Sequence, residues 1–259
     1  MTLTAATPAG QRIRVDSHLD VVRRLASAQK TSKGAPAYSR FVNRPLGRQF
    51  AALAFRLGLT PNTVTCLSAL FSFTAISVIA LARPSVIVGV VVAALLVVGY
   101  ALDAADGQLA RLQGGGSYAG EWLDHMIDAT KISSLHLAVL VSLFRFGDLS
   151  AGWLLVPLGF AVVGAAMFFG MTLNDQLRRQ HLAAGNPVVG PTRTSTLRSF
   201  AALPTDYGLL CVIFALLGSS SVFFWAYAAL FVGSAGFMLL AAVKWFSDMR
   251  ALDTAAATR

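Results

Sequence analysis

Four aspartates in two closely spaced pairs are the residues of this sequence best suited to chemistry. Asp103 and Asp106 are three residues apart, and Asp124 and Asp128 are four apart, so on a helix each pair projects from one face. All four belong to apolar segments, where a carboxylate is costly and usually faces a cavity or a partner. Four converging carboxylates repel strongly unless some are protonated or divalent cations neutralise them. An all-oxygen donor set favours Mg²⁺, Mn²⁺ or Ca²⁺ over zinc.

The residues around these acids leave room for a ligand. Gly107 and Ala110 are small and lie beside the first pair, and a run of three glycines follows at 114–116. Arg111 and Lys131 are cations close to the pairs, and both suit phosphate oxygens. A helical hairpin with carboxylates, cations and small residues is what the binding of a metal–diphosphate requires.

These residues together resemble a known family signature. Eight positions fit the CDP-alcohol phosphotransferase motif at its fixed spacing, over 26 residues: Asp103, Asp106, Gly107, Ala110, Arg111, Gly120, Asp124 and Asp128. Residues 60–65, before the first apolar segment, are also similar to the family's entry into that helix. Members of the family transfer a substituted phosphate from a CDP-linked alcohol to a second alcohol and release CMP. The resemblance implies such an enzyme, acting in phospholipid biosynthesis as a homodimer.

The resemblance also implies a role for each motif residue. Asp103, Asp106 and Asp124 would hold two Mg²⁺ or Mn²⁺ ions, and Asp128 would be a further ligand and the general base. The CDP group would contact Asp103, Gly107, Ala110, Arg111, Gly120, Asn62 and Thr65. In members with phosphorylated acceptors, basic residues outside the motif hold the acceptor phosphate, and the candidates here are Lys131, Arg178, Arg179, Arg193 and Arg198. The arginines equally fit the general excess of positive charge on the cytoplasmic side of membrane proteins.

The donor and the acceptor stay open. We expect CDP-diacylglycerol as the donor, and a small water-soluble CDP-alcohol such as CDP-inositol is the alternative. Phosphatidylinositol-phosphate synthases usually have a basic residue directly after the last aspartate, whereas this chain has Ala129. A cation or proton transporter could also use intramembrane acids. The four aspartates lie near one side of the membrane rather than across it, which disfavours a transport path.

The elements that position these residues are apolar and long. The chain has 259 residues, of which 56% are hydrophobic and 13% charged, whereas soluble domains have about 25% charged residues. Six apolar segments predict an all-α integral membrane bundle of six transmembrane helices: 62–82, 86–109, 121–144, 151–173, 206–217 and 222–246. The fifth is the shortest, and it reaches a spanning length only if residues 200–203 extend it.

Charge predicts the orientation of these spans. The net charge is +9, and ten of the 21 Lys and Arg residues precede residue 61. Most of the others lie in the polar connections on the side of the glycine-rich loop. The positive-inside rule therefore predicts a multi-pass protein of the cytoplasmic membrane, with both termini and the active site on the cytoplasmic side. The same distribution favours contact with the lipid bilayer over a nucleic-acid role.

The first 59 residues form a cytoplasmic or interfacial amphipathic segment in this interpretation. Large apolar residues recur at helical spacing: Val42, Leu46, Phe50, Leu53 and Leu57. Such a helix lies in the headgroup region or caps the protein's own cytoplasmic face. Residues 60–250 are the predicted catalytic domain and 251–259 a cytoplasmic tail. Residues 1–60 contain no continuous apolar core, so we expect no signal peptide.

Overall fold

The helices of this protein follow the predicted order along the chain. A computed structural model describes residues 18–27, 36–186 and 203–257, and these residues contain helices and no strands. The prediction of an all-α membrane bundle is confirmed. The α-helices are α1 (His18–Ser27), α2 (Arg44–Arg56), α3 (Pro61–Leu81), α4 (Val86–Leu112), α5 (Tyr118–Phe146), α6 (Leu155–Ala183), α7 (Tyr207–Ile213) and α8 (Ser220–Ala257).

Five helical stretches of the described residues are long and apolar enough to cross a membrane: Pro61–Leu81, Val86–Leu112, Tyr118–Phe146, Ala151–Ala183 and Ser220–Ala256. The predicted fifth span is a shorter apolar helix, Tyr207–Gly218, of which the last turn is 3₁₀. At 1.5 Å per residue it covers about 18 Å, short of the roughly 30 Å of hydrocarbon. The number six therefore stays a prediction.

The long helices also extend beyond their apolar segments. The predicted fourth span ends at residue 173, but α6 continues to Ala183. The predicted sixth span ends at 246, and α8 runs through the predicted tail to Ala257. Hydropathy detects only the part of a helix that suits lipid, so the polar ends of α6 and α8 were not included.

Capping residues set where the helices around the aspartates begin. Thr60 precedes α3, and its side chain accepts a hydrogen bond from the Thr63 amide, with Pro61 in the first turn. Ser117 caps α5 in the same way through the Gly120 amide. These caps fix the register of both helices, and therefore the direction in which their functional side chains point.

The hydrophobic core has two parts. The larger part fills the middle of the bundle and draws on α3 to α8, with Leu96, Leu135 and Phe214 fully buried. The smaller part joins α1 and α2 to the ends of α3 and α4, and its members are Val21, Leu25, Ala51, Ala52, Ala54, Val64, Ala105 and Leu109. The smaller core packs directly behind the aspartates, because Ala105 and Leu109 belong to the same turns of α4 as Asp103 and Asp106.

Helix α2 has two different faces. Its buried face consists of small residues, Gly47, Ala51, Ala52 and Ala54, and it packs against α4. Gln108 of α4 also donates to the Arg44 carbonyl at 3.2 Å. Among the large apolar residues of the predicted stripe, Val42, Leu53 and Leu57 are 44–63% exposed. The helix thus covers the bundle with one face, and the contact of its exposed face with headgroups stays a prediction.

Candidate metal and phosphate site

A tight loop joins the two helices that carry the aspartates. Residues 113–117 connect α4 to α5, with φ angles of +103° at Gly114 and +126° at Gly115. Residues with a side chain rarely adopt these angles. The Gly115 amide donates to the Ala110 carbonyl at 2.9 Å and closes the end of α4. The loop therefore brings the last turns of α4 and the first turns of α5 to the same end of the bundle.

The two helices diverge from this loop rather than packing side by side. Helix α3 packs against both α4 and α5, whereas the backbones of α4 and α5 stay apart. The carboxylates therefore come together from two helices that do not pack closely on each other, and α3 contacts both of these helices.

Three of the four predicted aspartates form one group. Carboxylate oxygens of Asp103, Asp124 and Asp128 all lie within 4.8 Å of one another. The side chains are partly accessible, with exposed fractions of 19% for Asp103, 36% for Asp124 and 26% for Asp128. The group combines close spacing with access from outside, as a ligand-binding site requires.

The fourth aspartate, one helical turn from Asp103, is bonded to a residue of α3. Asp106 is 6% exposed, and its Oδ2 accepts a hydrogen bond from Thr65 Oγ1 at 2.6 Å. Thr65 was predicted to contact the CDP group. In this structure its hydroxyl supports an aspartate.

Lys131 lies between two of the grouped aspartates. Its Nζ is 2.8 Å from Asp103 Oδ1 and 2.7 Å from Asp128 Oδ1. The lysine is 2% exposed, and a charged side chain is almost never buried to this extent unless it is paired. The sequence placed Lys131 near the acids as a ligand for phosphate; the structure shows it bonded to the acids themselves.

The donor chemistry of the group fits a divalent cation. All three side chains offer oxygen atoms, which Mg²⁺ and Mn²⁺ prefer. The oxygens around an octahedral ion at about 2.1 Å lie roughly 3 to 4 Å apart, and the observed spacing is compatible with that shell. Asp103, Asp124 and Asp128 are thus the residues that would hold a metal ion, with Asp106 adjacent to Asp103 by one helical turn.

Two glycines leave space where the motif predicts contact with CDP. A Cβ on Gly107 would meet only the Arg111 Nη1, at 3.5 Å, so the surface beside Asp106 is open. A Cβ on Gly120 would lie 2.9 Å from Asn62 Oδ1. Gly120 thus lets the start of α3 approach α5, and it brings Asn62 to the edge of the site.

Two of the predicted acceptor-binding arginines lie at the end of α6. Arg178 Nη2 donates to Asp248 Oδ2 of α8 at 2.8 Å, and Lys244 pairs with the same carboxylate. Arg179 pairs with Glu121, one turn before Asp124 on α5. The other two predicted residues, Arg193 and Arg198, lie outside the described residues.

One buried acid was not recognised as important in the sequence. Asp206 is 1% exposed and accepts three backbone hydrogen bonds, from Tyr38 at 2.7 Å, Ser39 at 3.4 Å and Gly208 at 3.1 Å. It caps α7 and ties the segment before α2 to that helix. Its position directly before an apolar run, after a proline, was a readable cap signal, but its two partners at 38 and 39 are distant in sequence.

Comparison with known proteins identifies the family of this chain. The family model described as CDP-alcohol phosphatidyltransferase matches residues 58–233, about two thirds of the chain. Two solved structures of phosphatidylinositol phosphate synthase (PgsA1) from Mycobacterium tuberculosis are similar, each at 19% identity. The one with CDP-DAG bound has a TM-score of 0.48 and covers 82% of this chain and 93% of that chain. The one with manganese and citrate has a TM-score of 0.46, with coverages of 79% and 88%. A search of curated proteins found no match.

Proposed function

The chain belongs to the CDP-alcohol phosphatidyltransferase family, and on that premise we propose that it transfers a phosphatidyl group from CDP-diacylglycerol to an acceptor alcohol. As a family member it is a membrane phosphotransferase of phospholipid synthesis that uses a CDP-linked donor, an alcohol acceptor and Mg²⁺ or Mn²⁺. One observation is the main support for this proposal. Carboxylates of Asp103, Asp124 and Asp128, from two helices, have oxygens within 4.8 Å of one another at the end of the bundle that also holds the glycine loop.

The aspartates have separate tasks in this proposal. Asp103, Asp106 and Asp124 would hold two divalent ions, and Asp128 would contribute a further oxygen. A bound divalent ion polarises the phosphoryl group and stabilises the departing CMP. Thr65 keeps the Asp106 carboxylate in place through the hydrogen bond to Oδ2.

Asp128 would act as the general base. Its Oδ1 is bonded to Lys131, and its Oδ2 would accept the proton of the acceptor hydroxyl. As that proton moves to Asp128, the acceptor oxygen forms a bond to the donor phosphorus, and the bond between that phosphorus and the CMP oxygen breaks. With 26% of its side chain exposed, Asp128 is within reach of an acceptor that arrives from outside.

The CDP group would bind in the space between α4 and α5. Gly107 leaves the surface open there, and Ala110 and Arg111 follow on the same part of α4. Arg111 would hold the diphosphate, since a guanidinium pairs with phosphate oxygens in a bidentate manner. Gly120 and Asn62 form the opposite edge, where α3 meets α5.

The surroundings of the site favour a lipid donor. Leu53 of α2 and Leu57, directly after this helix, are exposed apolar side chains, and α2 packs behind the aspartates. Acyl chains of a donor held at the cluster could remain among such side chains in the bilayer. We further propose that the acceptor meets Arg178, Arg179, Arg193 and Arg198, that the site faces the cytoplasm, and that the enzyme is a homodimer.

Donor competition tests this function directly. Purified protein, in detergent with Mn²⁺, is given radiolabelled CDP-diacylglycerol or CDP-inositol, each with a panel of acceptors: glycerol phosphate, inositol phosphate, serine and phosphatidylglycerol. We expect release of CMP from CDP-diacylglycerol, complete loss on chelation, and recovery with Mg²⁺ or Mn²⁺. If CMP is released from CDP-inositol but not from CDP-diacylglycerol, the donor is the water-soluble one and the proposed lipid donor is wrong. Turnover that continues after chelation would exclude a metal-dependent reaction. Metal-dependent turnover in detergent, where no gradient exists, excludes a transporter.

A further inference from the structure

We propose that Lys131 is a positioning residue that acts as the resident counter-ion of the aspartate cluster: it holds Asp103 and Asp128 together without metal and competes with the metal ion for their oxygens. This rests on the proposed metal site but not on the transfer reaction. The motif assigns no role to position 131, and the sequence suggested an external phosphate as its partner.

The geometry of Lys131 supports an internal partner. Its ammonium group bonds Oδ1 of Asp103 on α4 and Oδ1 of Asp128 on α5, at 2.8 and 2.7 Å. The two helices stay apart at their backbones, so this lysine is a bridge between them at the level of the site. Its side chain is only 3% exposed. To reach an acceptor phosphate it would have to leave at least one aspartate.

The charge of the aspartate cluster also supports a counter-ion role for Lys131. When Asp103, Asp124 and Asp128 are ionised, one ammonium group leaves two negative charges of this group unbalanced, and the first divalent cation to bind balances them. Without the lysine, three carboxylates with oxygens within 4.8 Å would repel one another with no cation present. With the lysine, the metal must bind next to a fixed positive charge and share Asp103 and Asp128 with it. The lysine should therefore stabilise the metal-free protein and weaken metal binding.

The chain offers a matched control. Lys244 of α8 pairs with Asp248, one turn further along its own helix, and Arg178 shares that carboxylate. Lys131 also pairs with an acid on its own helix, but it bonds a second acid from another helix as well. Lys244→Met removes the same charge and an ion pair within one helix, at a side chain that is 38% exposed and lies outside the cluster.

The test measures metal binding and the stability of the metal-free protein, without any substrate. Full-length wild type, Lys131→Met and Lys244→Met are purified in detergent and freed of metal by chelation. Free Mn²⁺ is then followed by electron paramagnetic resonance during titration, and thermal unfolding is recorded with and without saturating Mn²⁺. For Lys131→Met we expect a lower Tm without metal, Mn²⁺ binding tighter by roughly tenfold or more, and a Tm gap to wild type that narrows when Mn²⁺ is added. For Lys244→Met we expect the affinity of wild type.

The opposite outcomes are distinguishable. A Lys131→Met protein that binds Mn²⁺ as wild type does, or more weakly, overturns the proposal, because loss of a purely structural lysine would not tighten metal binding. If that variant does not fold, Lys131→Gln keeps a hydrogen-bond donor without the charge, and tighter Mn²⁺ binding is expected there as well. A wild type that binds no Mn²⁺ overturns this inference together with the proposed metal site. If the wild type binds Mn²⁺ and the Lys131 variants bind it with the same affinity, this inference is overturned and the proposed metal site is not.

Discussion

Two of the buried polar side chains of helix α5, Lys131 and His136, have very different surroundings. Both are 2% exposed. Lys131 bridges two carboxylates of a group that holds a third. His136 Nδ1 instead forms a single hydrogen bond with the Tyr227 hydroxyl at 2.6 Å, and its ring stacks on Phe160 at 4.0 Å between centroids. Depth of burial alone does not distinguish these two sites.

The difference lies in what each site leaves unpaired. The His136–Tyr227 pair joins one donor to one acceptor inside an aromatic cluster, so it contributes to packing and closes the core. The aspartate group has more carboxylate oxygens than its lysine can bond, and its acids remain partly accessible. An excess of one kind of charge that stays open to a ligand is expected at a binding site, whereas a balanced pair is expected in a structural core.

The largest expected effect on turnover comes from a substitution in the aspartate group. Asp128→Asn keeps the shape of the side chain but removes its ability to take a proton, so turnover should fall by about 10²- to 10⁴-fold. Binding of the CDP donor should change little. CMP release and donor affinity measure the two. The control is Asp148→Asn, at an exposed acid just after the far end of α5, and it should behave as wild type. A near-normal rate of CMP release in Asp128→Asn would show that Asp128 is not the general base.

A smaller effect is expected from a residue that acts through an aspartate. Thr65→Val removes the hydroxyl that bonds Asp106 at 2.6 Å, so a buried carboxylate loses a partner and we expect roughly a tenfold fall in kcat and a higher Mn²⁺ requirement. The control is Thr74→Val on the same helix. Its hydroxyl bonds only the Leu70 carbonyl at 2.7 Å among the contacts described. An equal loss in both variants would mean that α3, and not Asp106, is the sensitive element.

The smallest effect on activity is expected from a substitution in the hydrogen-bonded pair of His136 and Tyr227. Tyr227→Phe leaves His136 without its hydrogen bond, which should cost about 0.5–2 kcal/mol of stability and lower Tm by a few degrees. At a temperature where the protein is folded, CMP release should equal that of wild type. Tyr118→Phe, at a side chain that is 96% exposed, should change neither. A large loss of turnover in Tyr227→Phe with unchanged Tm would end the distinction drawn between the two sites.

Periodicity made the grouping of the aspartates at the candidate site predictable from the sequence. Spacings of three and four residues placed each aspartate pair on one helical face, and hydropathy placed both pairs at one end of the bundle. The pairing of Asp128 with Lys131 was also readable, because residues three apart are neighbours on a helix. The bond from Lys131 to Asp103 was not, since it depends on how far α4 and α5 diverge and on α3 packing against both.

The membrane spans were predictable from sequence where an apolar segment is long. They were less predictable where a short segment is near the minimum length for crossing the membrane. Five predicted spans correspond to long helices, but 206–217 forms a helix whose last turn is 3₁₀ and which stops at Gly218. The stripe on α2 was recognised, yet its small residues make the contact with α4. Large apolar residues dominate a sequence pattern, whereas the closest packing of two helices uses the smallest side chains.

The ion pair between Glu121 and Arg179 has a consequence for the depth of the reaction. Paired charges of this kind, one of them 56% exposed, are expected at the water boundary of a membrane protein. Asp124 lies three residues and Asp128 seven residues further along α5, about 5 and about 10 Å from Glu121 along the helix axis at 1.5 Å per residue. Under the proposed orientation these two carboxylates would lie at successive depths below the ion pair, and a donor phosphate would have to pass Glu121 and Arg179 to reach them.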